Sequence, residues 1–213
     1  MFDYFKKKLE KFYSNKRAIY DDQYYQEEYF RHLNAPYGFI VKPYHRYLVS
    51  SMANLAKIKK SDKVLEIGCG IGTLTGEFKK LGYDVTGVDI NEAAIRNSIC
   101  PQNCQLVKDT KKLDYPDSFF DLVISKETLE HISESEIDDC IKEWDRISKG
   151  KQIHILAVEE RGMGATKNPA HINVKPEKWW IGKFKEYGYS AQKPSRWLFY
   201  LLGHRGYFIF SKN

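Results

Sequence analysis

The sequence predicts an α/β fold, a mostly parallel seven-stranded sheet buried on both faces and finished by an antiparallel C-terminal hairpin. Three observations carry it. From residue 63 onward, short β-branched runs alternate with amphipathic stretches of helical period. A glycine-rich turn, GCGIG at 68–72, joins the first run to the first such stretch. Near the end, two aromatic runs flank GHRG at 203–206, which reads as a tight turn.

In chain order, KVLEIG (63–68) is a strand, TLTGEFKKLG (73–82) a helix stopped by Gly82, and DVTGVD (84–89) a second strand. NEAAIRNS (91–98) follows as a helix, CQLVKD (104–109) as a third strand and FDLVISKE (120–127) as a fourth. SESEIDDCIKEWDRISKG (133–150) opens on serine and acidic residues and closes at Gly150, as a capped helix does. KQIHILAVE (151–159) is a fifth strand, and PEKWWIGKFKEYGY (176–189) a helix with proline at its start. RWLFYLL (196–202) and YFIFSK (207–212) complete the sheet as a hairpin. Strands separated by helices require right-handed crossovers, hence the parallel order.

Ahead of the sheet, Phe2, Phe5, Leu9 and Phe12 share one helical face opposite lysines. That stripe suits either packing on its own domain or a membrane surface. Residues 20–48 gather tyrosines, with Pro36, Gly38 and Pro43 as breakers, and read as two helices around a loop. Residues 1–59 are thus expected to form a helical cap or lid belonging to the same domain as residues 60–213.

Composition narrows the class. The chain has 213 residues, 42% of them hydrophobic and 29% charged, which suits one globular domain. No apolar run approaches the roughly 20 residues of a membrane span, and the N-terminus lacks the apolar core of a signal peptide, so a cytoplasmic protein is expected. Cys69, Cys100, Cys104 and Cys140 show no paired spacing, which argues against zinc, iron–sulfur and disulfide frameworks; no metal site is read from them. The net charge of +6 tolerates anionic partners without requiring nucleic acid, and none is expected. Oligomeric state is not legible.

The segment VLEIGCGIG (64–72) holds the most specific signal. Glycines at 68, 70 and 72 let a ligand lie against the main chain at the carboxyl end of the first strand. Their spacing departs from the dinucleotide GxGxxG, since Thr73 stands where the third glycine belongs, and no phosphate-binding GK[ST] follows. Together with GVDI (87–90), VKDT (107–110) and FDLVISKETLEHI (120–132), the segment resembles the S-adenosylmethionine-dependent methyltransferases of the Rossmann-like class, in particular the small type 11 group. The resemblance covers residues 60–210 and is strongest over 63–132.

What it implies is residue by residue. Gly68, Cys69, Gly70 and Gly72 would present bare backbone to S-adenosylmethionine, and Glu66 would order the loop and favour the cationic end of the ligand. Asp89 would accept both ribose hydroxyls, Ile90 line the adenine face, and Asp109 with Thr110 meet the adenine amino group. Lys126 would reach the methionine end through its backbone, and Tyr37 would gate the pocket. Two plainer readings stay open: Asp89 as a helix cap and Asp109 as a turn residue.

On the acceptor side, His131 is the candidate base, because histidine titrates near neutrality. Glu127 and Glu130 are weaker candidates that suit ion pairs equally well. NPAHINVKPEKWW (168–180) resembles a segment of glycan and natural-product methyltransferases whose histidine and tryptophans face the acceptor. His171 is therefore expected near the acceptor, and Trp179 and Trp180 either there or in the core; Asn168 departs from the aspartate of those relatives. SKET (125–128) lacks the Asn/Asp-Pro-Pro-aromatic stretch of enzymes that methylate base amino groups. The expectation is O- or N-methylation of a small-molecule or sugar-containing acceptor, leaving S-adenosylhomocysteine. A nicotinamide-dependent oxidoreductase and a catalytically silent cofactor-binding subunit are the alternatives, separable by which cofactor binds and by turnover.

Overall fold

The computed structural model describes residues 21–22, 38–159, 170–193 and 206–212. Seven strands form one sheet: β1 (Lys63–Ile67), β2 (Asp84–Asp89), β3 (Cys104–Leu106), β4 (Leu122–Lys126), β5 (Lys151–Leu156), β6 (Ser190–Gln192) and β7 (Gly206–Ser211). Their spatial order is β3-β2-β1-β4-β5-β7-β6, with β1 to β5 parallel and β7 antiparallel to both its neighbours. The order reverses between β1 and β4, so the carboxyl ends of these two strands flank the crevice where open α/β sheets bind ligands.

Among the described residues five helices cover the sheet: α1 (Gly38–Ala56), α2 (Thr73–Lys80), α3 (Glu92–Arg96), α4 (Ile137–Ile147) and α5 (Glu177–Glu186). Alternate residues of each strand serve opposite layers. Val64 of β1 and Ile153 of β5 join Leu48, Met52 and Phe78 of α1 and α2, whereas Leu65 and Leu156 join Trp144, Trp180 and Phe184 of α4 and α5. This double burial is why the strands read as near-continuous apolar runs.

One expectation needs correction. Helix α1 runs through Pro43, where a break was expected. Proline at the sixth helical residue forfeits one backbone hydrogen bond, but Leu48, Val49, Met52 and Ala56 beyond it are buried in the core, and that burial outweighs the loss. Residues 44–56 therefore pack as part of the sandwich. The antiparallel partner of β7 is Ser190–Gln192; the strand expected at 196–202 lies outside the described residues, as do Tyr37, Asn168 and the amphipathic stretch of the first twelve residues. Among the described residues no helix is long and apolar enough to cross a membrane.

Candidate functional site

The glycine loop is stitched to the end of β2. Gly68 N–H and Cys69 N–H both donate to the Val88 carbonyl, at 2.8 and 3.1 Å. Gly68 has φ +73, and a Cβ there would sit 2.3 Å from Thr128 Oγ1, so backbone conformation and the close approach of β4's exit both demand glycine. Gly70 has φ +55 with nothing within 4 Å of a Cβ, which makes it the open floor of the crevice. At Gly72 a Cβ would strike Cys104 Sγ.

Asp89 ends β2 beside this floor. Its Oδ2 accepts from Gly70 N–H at 2.7 Å and its Oδ1 from Asn91 N–H at 2.8 Å. Burial pushes its carboxyl up, against these backbone bonds. A carboxylate accepts about four hydrogen bonds, and with the Gly70, Asn91 and Ile90 amides directed at it, Asp89 keeps part of that capacity for a ligand hydroxyl. The cap of α3 is Asn91, whose side chain accepts from Ala94 N–H at 3.0 Å; Asp89 is relieved of that task. Ile90 is 50% exposed, an apolar face open to a planar ligand. Bare floor, diol acceptor and apolar wall together fit S-adenosylmethionine.

Glu66 faces inward. Helix α2 begins at Gly72 with no side-chain cap of its own, and Glu66 Oε2 supplies one, accepting from Thr75 N–H at 2.8 Å and Thr75 Oγ1–H at 2.5 Å. Burial pushes the carboxyl up to about 8, against those two bonds. The loop-ordering half of the expectation for Glu66 thus has a concrete geometry. Cys69 is buried, and its hydrogen bond with Cys104 together with burial holds its thiol protonated.

Asp109 and Thr110 stand differently from expectation. Strand β3 ends at Leu106, and Asp109 lies three residues beyond in a turn. Its Oδ1 accepts from Lys111 N–H at 2.8 Å, and its Oδ2 lies 3.4 Å from Lys111 Nζ. Thr110 turns toward α4, its hydroxyl 3.9 Å from Cys140 Sγ and its carbonyl accepting from Trp144 Nε1–H at 3.0 Å. Short β3 explains both: with only three paired residues the chain leaves the sheet before reaching them. Lys126, the last residue of β4, pairs with Glu127 at 3.0 Å.

The exit of β4 builds the second half of the site. Glu127 is left-handed at φ +53, which redirects the chain into a 3₁₀ turn, Leu129–His131. Thr128, overlooked in the sequence, donates to the carbonyl of Ile67 or Lys126, each 3.2 Å away, and locks β4's exit onto β1. The Glu130 carbonyl accepts from Ile172 N–H and Asn173 N–H at 2.9 and 3.1 Å, drawing 170–173 alongside. His131 and His171 consequently meet edge to face, centroids 5.0 Å apart. His131 Nδ1 lies 2.9 Å from the Ala170 carbonyl, which only accepts, so Nδ1 carries the proton. Burial holds His131 below the usual histidine range.

Glu130 is fully buried, with Oε1 accepting from Ala157 N–H at 3.0 Å. Its Oε2 has no hydrogen-bond partner, and burial pushes the carboxyl up to about 7. One ligand atom each from Glu130, His131 and His171 lie within 4.8 Å of one another, a donor set that cysteine counting could not reveal. His45 of α1 lies within electrostatic reach of Lys126 and Glu127; burial, then the Lys126 charge, lowers it to about 4. Trp180 lies in the core and Trp179 lies partly buried with Lys175 and Lys183 over its ring, 5.6 and 5.8 Å from its centroid, so the tryptophans cover the sheet.

Residues 65–156 match a family model described as a methyltransferase domain. The chain is 30% identical over 142 residues to the eEF1A lysine and N-terminal methyltransferase of Homo sapiens, covering 63% of this chain and 20% of that protein. It is 31% identical over 127 residues to the ubiquinone biosynthesis O-methyltransferase of Pelagibacter ubique, covering 53% of this chain and 50% of that protein. The chain thus spans from a fifth to a half of the length of these relatives. A putative S-adenosyl-L-methionine-dependent methyltransferase from Methanococcus maripaludis shares the fold, with TM-score 0.64 over 91% of this chain and 94% of that one, at 15% identity.

Proposed function

We propose that this chain, whose residues 65–156 match a methyltransferase domain, is a Rossmann-like S-adenosylmethionine-dependent methyltransferase that methylates an oxygen or nitrogen of a small-molecule or sugar-containing acceptor. The observation that carries the reading is the contact between the two half-sites: Thr128, at the exit of β4, lies against Gly68 of the cofactor loop. Acceptor groups held at His131 and His171 therefore border a ligand lying over Gly70 and gripped by Asp89. When bound, S-adenosylmethionine supplies a methyl on a sulfonium, and the carbon–sulfur electron pair returns to sulfur as the acceptor takes the methyl.

The chain's residues do the rest. Asp89 and the loop amides position the cofactor, and Glu66 keeps the loop in shape through Thr75. His131, with its proton fixed on Nδ1, presents Nε2 as the acceptor for the substrate's proton. The expectation of a cap or lid over residues 1–59 stays a proposal; Asp22 accepts from Asn97 Nδ2–H at 2.7 Å and pairs with Arg96, at the end of α3.

The test is transfer of labelled methyl from S-adenosylmethionine into a size-fractionated extract of the source cells. Label in the low-mass fraction is expected. Label in protein alone would select a second reading, a protein amine acceptor, which the likeness to the eEF1A lysine methyltransferase favours. His131→Ala should slow turnover by about 100-fold or more while sparing S-adenosylhomocysteine affinity. Loss of affinity without loss of turnover would overturn that assignment.

A further inference from the structure

We propose that Glu130, His131 and His171 form a binding site for one divalent transition-metal ion at the acceptor edge of the sheet. One ligand atom from each lies within 4.8 Å of the other two. A metal ion bound at about 2.0–2.2 Å from nitrogen and oxygen ligands draws on all three after side-chain shifts of a fraction of an ångström. Two imidazoles and a carboxylate form the donor set of Zn²⁺, Fe²⁺ and Co²⁺ sites, while Mg²⁺ and Ca²⁺ prefer oxygen throughout.

Independent features of the site point the same way. Glu130 is fully buried, yet only Oε1 is satisfied, by Ala157 N–H; Oε2 has no hydrogen-bond partner. Such an oxygen is costly unless something completes it, and a cation does so. His131 donates its Nδ1–H to the Ala170 carbonyl, the outer contact that metal-binding histidines make, which orients Nε2 as the ligand nitrogen. The two segments that carry the ligands are braced before any ion arrives, since the Glu130 carbonyl holds both Ile172 N–H and Asn173 N–H.

Three protein ligands leave coordination positions open, as sites that take a substrate do. An acceptor hydroxyl bound there loses its proton to bulk water at lower pH than a free hydroxyl, and the oxyanion is the nucleophile. That use of the ion rests on the proposed methyl transfer; binding of the ion does not. With the ion in place His131 is a ligand and the acidified hydroxyl needs no base.

The full chain, stripped with a chelator, is titrated with Co²⁺ alone and followed by visible absorption and calorimetry. One ion per chain is expected, with weak d–d bands and no thiolate charge-transfer band. Glu130→Gln and His171→Ala should each weaken binding by about 100-fold or more, given that loss of even an outer-shell partner costs 10- to 100-fold. Cys104→Ser should leave it unchanged. S-adenosylhomocysteine affinity, measured on the stripped protein and both variants, should stay constant, which separates failure of the metal site from failure of the methyltransferase reading. Binding of equal strength in both ligand variants, a thiolate band, or no stoichiometric binding would overturn the proposal. Should Glu130→Gln fail to fold, the variant at the partly exposed His171 decides.

Discussion

Glu66 and Glu130 are both buried carboxyls at the crevice, and they show how differently its two halves are built. Glu66 closes its half, because the Thr75 amide and hydroxyl bind one oxygen and fix the first turn of α2 behind the glycine loop. Glu130 leaves its half open, with one oxygen tied to Ala157 and the other unsatisfied. On the proposed reading the cofactor side is a finished cradle whose ligand would lie on main chain, and the acceptor side is a set of polar groups with one buried oxygen left unsatisfied. Burial raises both groups, so it is the count of partners that separates scaffold from chemistry.

The sharpest test of the closed half is its response to pH. Glu66 is raised from 4.5 to about 8, so between those values the folded protein holds a proton that the unfolded chain has released. Unfolding then releases a proton, and stability should fall as pH rises through the window, by up to about 1.4 kcal/mol per pH unit. The contribution is whole below 4.5 and has levelled off above 8. Glu66→Gln should flatten this slope in denaturant titrations across the window. An unchanged slope would mean that Glu66 is charged in the folded protein and that the two halves differ less than their hydrogen bonds imply.

A smaller effect tests the seam between the halves. Gly68→Ala places a Cβ 2.3 Å from Thr128 Oγ1 at φ +73, and should cost about 2–4 kcal/mol by denaturant unfolding. Adding Thr128→Ala should recover the steric part and leave the backbone part. Full additivity of the two changes would break the claim that the halves meet there.

The difference also governs what the sequence discloses. The proposed cofactor half lies within contiguous strand ends, residues 64–72 and 87–90, so glycine spacing and one terminal aspartate are enough to propose it. The acceptor half joins Glu130 and His131 to a segment 40 residues on through backbone hydrogen bonds, which leave no mark in residue types. His131 and His171 are visible singly, but their meeting, the unsatisfied buried oxygen of Glu130 and the role of Thr128 are tertiary facts. Pro43 misleads for a related reason, since its local penalty is outweighed by core contacts of later residues. At Asp109 the turn reading kept open in the sequence is the one observed, because β3 is shorter than the pattern suggests and periodicity fixes boundaries poorly.

Within the closed half, Asp89→Ala should weaken S-adenosylhomocysteine binding by about 1–3 kcal/mol, through lost charge-assisted hydrogen bonds. Calorimetry reads this directly, and an unchanged affinity would remove Asp89 from the ribose site. The variant also deprives Gly70 N–H of its acceptor, so a looser loop adds to the loss.

The smallest effect separates Asp89 from Asp109. Both are aspartates just past parallel strands, yet Asp89 holds the loop that bears the ligand, whereas Asp109 spends one oxygen on its own turn and rests the other near Lys111. Asp109→Asn keeps an oxygen for the Lys111 amide, so the fold should lose about 0.5 kcal/mol or less, as an exposed ion pair contributes little. The other position of the amide is an NH₂, which donates, so a hydrogen bond from an adenine amino group to the replaced carboxylate oxygen would be lost, at a cost of about 1 kcal/mol of cofactor affinity. Asp89 should therefore dominate in calorimetry on the two variants. Reversal of that order would shift the main adenosine anchor from β2 to the turn after β3, and the backbone cradle over Gly70 would then hold only the amino-acid end of the ligand.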